Sequence, residues 1–136
     1  MIRQTISIFA IMMATSASAT EPPDYLALME QAERLAVATT SAKTCVHFGY
    51  RDQQPALVDK AQDLIDEAER AGMPASNADT ILAGALQSEK ARQDARAQAV
   101  EAEKSDPAAV ERFLGYWERR CESLANDAVY GRYFQP

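Results

Sequence analysis

Cys45 and Cys121 are the only two cysteines of this 136-residue chain, and they constrain its fold more than any other feature. A bond between them requires their α-carbons to lie within about 7 Å. The elements that carry them must then run side by side at a set relative height. Closing so long a loop stabilises the fold by about 4–5 kcal/mol in the chain-entropy account. Two free thiols or an intermolecular bridge are the alternatives. The lack of a C-x-x-C spacing argues against a redox pair.

An intramolecular bond persists only in an oxidising compartment, and the N-terminus points to one. Arg3 is followed by an apolar stretch from Ile6 to Ala14 and by the small residues Ala17-Ser18-Ala19. This is the pattern of a secretory signal peptide, expected over residues 1–19 with cleavage after Ala19. The apolar stretch is about half the ~20 residues that a spanning helix needs. Position 20 is Thr, not Cys, so a bacterial lipid anchor is not expected. The single domain over residues 20–136 is therefore expected in the periplasm or secreted, without stable membrane insertion. Losing Arg3 leaves 13 of the 14 basic residues against 20 acidic ones, a formal charge of -7 in place of -6. Such a balance disfavours a nucleic-acid partner, whose phosphates call for a surplus of Lys and Arg.

Periodicity and punctuation predict four helices, over about 24–49, 55–71, 76–104 and 107–130. Asp24 can cap the first, whose Leu28, Ala32, Leu35, Thr39, Ala42 and Val46 recur at steps of three and four, with Gly49 as its stop. Pro55 suits a first helical turn before Leu57, Ala61, Leu64, Ile65 and Ala68, and Gly72-Met73-Pro74 closes that helix. Ser76 and Asp79 resemble a capping box ahead of Ile81, Leu82, Ala85 and Leu86, with a narrow face of Ala91, Ala95, Ala99 and Ala102 beyond. Asp106-Pro107 then starts the stripe Val110, Phe113, Leu114, Trp117, Cys121, Leu124 and Ala128. No stretch alternates polar and apolar residues as a strand would. Short connections favour an all-α, up-and-down antiparallel four-helix bundle.

The cysteines test that arrangement. At ~1.5 Å per residue, a third helix of 28 residues overshoots a second of 17 by about 16 Å. Cys121 and Cys45 then fall at similar heights near the shared end of the first two helices. Residues 94–104 and 107–117 are left to project as a helical hairpin. Its aromatic arm carries Phe113, Tyr116 and Trp117, the candidate partner-binding residues if the surface is open and core residues if the bundle covers them.

Catalytic constellations are sparse. His47 is the only histidine, and on a helix it points about 200° away from Cys45, so the two do not share a metal. Asp59, Asp63 and Asp66 share one flank of the second helix but lack the other ligands of a calcium loop, and read as a solvated acidic face. No phosphate-binding or dinucleotide fingerprint occurs. No metal or cofactor is expected. Lys90, Arg92 and Arg96 among Glu89, Asp94, Glu101 and Glu103 read as a salt-bridged surface. Tyr130-Gly131-Arg132-Tyr133-Phe134 reads as an aromatic tail packed across one bundle end near Tyr25, or as a docking tail.

Thr44-Cys45-Val46-His47-Phe48 resembles the T-C-x-x-F segment of the HdeA-like periplasmic acid-stress chaperones, which are small, helical and held by one disulfide. The likeness covers five residues. The second cysteine here lies further along the chain than in that family. Three functions remain in order of preference. The first is an exported, non-catalytic helical protein that binds a protein partner, or itself, through an apolar and aromatic surface. The second is an acid-stress chaperone, in which protonating the 20 carboxylates makes the protein strongly cationic and expands it around the disulfide. A carboxylate-based enzyme is the third, and the expectation is that the chain is not an enzyme.

Overall fold

The computed structural model describes residues 24–136. The expected leader over 1–19 lies outside the described residues. Four helices follow one another, α1 (Tyr25–Val46), α2 (Gln54–Arg70), α3 (Ala75–Ala102) and α4 (Pro107–Ala125), with a 3-10 turn at Gly131–Tyr133 and no strand among the described residues. The fold is all-α, and none of these helices is long and apolar enough to cross a membrane.

Local chemistry accounts for most of the boundaries. The Asp24 carboxylate accepts from Ala27 N at 2.9 Å, and that of Asp106 accepts from Ala108 N at 3.0 Å. Each satisfies a backbone donor that the first helical turn leaves free. Gly49 and Gly72 adopt φ of +94° and +95°, the left-handed conformation in which a chain leaves a helix with least strain when the residue is glycine. Three expected boundaries are corrected. The Ser76–Asp79 capping box does not form, because the helix already begins at Ala75 behind an extended Pro74. Helix α1 ends at Val46 rather than near 49. Helix α4 ends at Ala125 rather than near 130, because the Asp127 carboxylate takes the backbone N–H groups of Val129 and Tyr130 at 2.8 and 2.9 Å. A side chain that satisfies these donors competes with the helix for them.

The most extensive interface joins α1 and α3, which run parallel, while α2 and α4 each touch both and hardly meet each other. The bundle is thus flattened along one diagonal. Small residues permit this: Tyr25, Ala32, Ala36 and Thr40 fall within about 80° on α1, and Ala32 and Ala36 are buried. Tyr25 accepts from Asn77 at 3.3 Å and Thr40 from Gln93 at 2.7 Å, which sets the register of the pair.

The Cys45–Cys121 bond forms, with α-carbons 5.6 Å apart. It holds α4 antiparallel to α1, with Arg120 reaching Ser41 and Asp127 reaching Arg34. From the Thr40–Gln93 level, six residues carry α1 about 9 Å further and nine carry α3 about 14 Å further. The α3–α4 hairpin therefore clears α1 by only about one turn. It projects well beyond the shorter α2, but α1 reaches further up than expected. Ala91, Ala95, Ala99 and Ala102 are exposed, not buried, because on a helical wheel they fall at least about 80° round α3 from Glu89 and Gln93, which meet α4 and α1. Val46, Leu114 and Ala128, also expected inside, are exposed as well.

The C-terminal segment joins the core. Tyr130, Tyr133 and Phe134 are buried in the same cluster as Leu35, Leu57 and the disulfide. The tail packs by the α1–α2 loop, where Arg51 N donates to Gln135 O at 2.8 Å, and not by Tyr25 at the opposite end. A Cβ on Gly131 would stand 2.6 Å from the Ala125 carbonyl oxygen. Gly131→Ala is expected to displace this aromatic tail and cost about 1–3 kcal/mol, as overpacking does, measured by urea denaturation with the disulfide intact.

Backbone N–H groups of Tyr130 and Val129, and then Arg34, hold the Asp127 carboxyl below its ordinary value of 3.8 against the opposing effect of burial. A depressed carboxylate contributes stability above its unfolded value and loses it as pH falls through its folded value. Asp127→Asn is expected to lower stability at neutral pH and to converge with the parent protein in strong acid. Denaturation midpoints between pH 2 and 7 check this, and parallel profiles would contradict it.

Candidate functional site

The three aromatics singled out in the sequence are neighbours on α4, but they do not form one open patch. Trp117 is buried at 5% exposure and meets Tyr116 edge to face, with ring centroids 5.7 Å apart. Phe113 and Tyr116 are half-buried. The Arg96 guanidinium lies 3.7 Å from the Tyr116 ring centroid, a cation–π contact that covers one face of the ring. A hollow of about 190 Å³ lies beside Phe113 and Tyr116, with Ala99, Val100 and Ala109 in its wall. Leu114, at 50% exposure, is the large apolar side chain that this arm presents most openly. Trp117 is therefore interior rather than openly displayed, with Tyr116 and Arg120 against its ring.

A larger opening lies on α1 and α3. Along this side of the pair, α4 reaches down only as far as Asp127 on Arg34 and Arg120 on Glu89. Beyond those contacts the seam, uncovered by the described residues, continues as a groove of about 350 Å³. Met29, Ile81 and Ala85 supply its apolar surface, while Thr80, Gly84 and Ser88 form a low wall along α3. Leu26 and Met29, beside it on α1, are 78% and 47% exposed. On a helical wheel Arg96, which meets Tyr116 of α4 higher up, shares a face with Ile81 and Ala85. The groove is the part of the α4 seat that α4 does not fill.

Between the groove and the aromatic arm lies a polar cluster that the sequence reading did not anticipate. Glu89, expected on a salt-bridged surface, is buried at 5% exposure. It pairs with Arg120 of α4 and accepts from Arg92 at 3.0 Å. Arg120 also donates to the buried Ser41 hydroxyl at 3.0 Å and to the Tyr116 hydroxyl. No buried side-chain nitrogen or oxygen among the described residues lacks a partner. The available signal was positional: Glu89 falls seven residues after the core Leu82, on the inward stripe of α3.

The remaining candidates are dispersed. His47, Asp59 and Asp63 are exposed, and Asp66 accepts from Gln62 at 2.9 Å. Among the described residues no group of three or more His, Cys, Asp or Glu side chains is arranged to hold a metal.

Removing one member of a buried ion pair costs about 3–5 kcal/mol, whereas replacing both with apolar residues is often neutral. Arg120→Met is expected to destabilise the protein by that amount, and adding Glu89→Leu to recover most of it. Urea denaturation of the single and double variants measures the coupling; additive losses would show that the cluster does not act as a unit. No family model matches this chain, and no curated protein or solved structure matches it either.

Proposed function

We propose that this is an exported, non-catalytic helical module that binds a protein partner through the uncovered α1/α3 groove. The carrying observation is that groove: an apolar cleft of about 350 Å³ on the α1/α3 pair, lined by the exposed Met29 and by Ile81 and Ala85, with the exposed Leu26 one turn before Met29 on α1. Contiguous exposed apolar surface of this kind commonly marks an interaction site, and a cleft between helices suits an amphipathic segment. Export is supported by the leader pattern of residues 1–19 and by a disulfide of the type that persists in oxidising compartments. The contact moves from the aromatic arm to the opposite half of the molecule, since Trp117 is interior.

Gly84 offers a clean probe. A Cβ there meets nothing within 4 Å, and replacing an exposed helical glycine by leucine raises helix propensity. Gly84→Leu thus fills the groove without disturbing the fold. A photo-cross-linking residue in place of Met29, introduced in the exporting cell, is expected to give a discrete protein adduct that Gly84→Leu removes. The same probe at the exposed Val58 of α2 is expected to give none. Equal adducts from both positions, or adducts insensitive to Gly84→Leu, would refute the groove as the contact.

A further inference from the structure

We infer that the groove's occupant is an amphipathic helix with a basic flank, on another protein; this rests on the groove reading above and specifies its partner. Shape comes first. From the level of Asn77 to that of Glu89, α3 runs about 18 Å with no helix of the described residues on this face, room for about three helical turns. The vacant seat continues the one that α4 itself occupies, so its cross-section is that of a helix. Thr80, Gly84 and Ser88, four residues apart, let an incoming backbone approach closely, and Met29, Ile81 and Ala85 offer contact for its apolar face.

Charge selects among such helices. Glu33 lines the groove and Glu30 is exposed on the same side of α1. Among the described residues neither carboxylate takes part in an ion pair. Of the nearby cations, Arg34 is matched by Asp127, whereas Arg92 shares the single carboxylate of Glu89 with Arg120, so the α3 rim keeps one positive charge. The α1 rim thus presents two carboxylates outside any ion pair, facing the half-matched Arg92 across the cleft, so a basic flank is favoured on the α1 side of whatever fills it. Exposed pairs of this kind add little affinity each, so the apolar face supplies the binding, and the basic flank sets orientation and partner choice. A second copy's projecting hairpin is a poorer match. The exposed face of its α4 mixes Glu111, Glu118 and Glu122 with Arg112 and Arg119 and offers no net basic flank.

The test uses the mature, disulfide-bonded protein and two fluorescein-labelled model helices of about 14 residues. Both carry leucines at i, i+3, i+4 and i+7 spacing, one with a lysine flank and the other with a glutamate flank. Fluorescence anisotropy is expected to show the lysine helix binding about tenfold or more tightly than its counterpart. Glu30→Lys with Glu33→Lys should reverse that order, and Gly84→Leu should abolish binding of both helices. Reversing Asp59 and Asp63 to lysine on the outer face of α2 should change nothing. Equal binding of the two helices, blocked by Gly84→Leu, would overturn the basic flank while leaving the groove reading intact. Lysine-helix binding that ignores Gly84→Leu, or that falls equally with the α2 reversals, would reduce the effect to unspecific attraction and overturn the inference. No binding of either helix at about 1 mM would sink both proposals. A dimer in sedimentation that Gly84→Leu dissociates would assign the groove to a second copy instead.

Discussion

The covalent link between α1 and α4 fixes the height at which the last helix docks, and the remaining architecture follows from that height. With Cys121 held beside Cys45, α4 cannot slide down to cover the whole seam between α1 and α3. Its first half is pushed out with the end of α3, and the opposite half of the seam stays bare. The prong and the groove are two consequences of one offset. Sliding α4 along the seam would trade cover on one half for exposure on the other, so apolar burial alone does not choose between these heights.

The buried cluster of Glu89, Arg120, Ser41 and Tyr116 fixes the same register by other means. It links three helices, and its geometry leaves no buried donor or acceptor unmatched. A shift of α4 by one turn would leave a buried carboxylate and a buried hydroxyl without their guanidinium, a large penalty in a low-dielectric interior. The sulfur bond restrains the unfolded ensemble, while the polar cluster discriminates between folded registers. Together they hold α4 at the register that leaves the lower half of the seam open.

The aromatic tail supplies the cover that α2 and α4, lying on opposite sides of the central pair, cannot give each other. Tyr130, Tyr133 and Phe134 enter the core, and the turn that aims them depends on one carboxylate and one close backbone approach, at Asp127 and Gly131. Neither feature is distinctive in the sequence. An aspartate after a helix and a glycine near its end are common, and their roles depend on which backbone groups the turn brings within reach.

Helix count, the caps at Asp24 and Asp106, the terminating glycines and the bonded cysteines were legible from residue order, because each depends on contacts within a few residues or on chemistry with a single available partner. The capping box at Ser76 and the inward placement of Val46, Leu114 and Ala128 were misread, since these depend on which neighbour stands opposite. The parallel packing of α1 on α3, the burial of Trp117, the pairing of Glu89 with Arg120 and the uncovered groove were decided only in three dimensions. Periodicity reports which face of a helix is apolar, but not how far a neighbouring helix extends along it, and that reach determines whether an apolar face becomes core or remains a surface for binding.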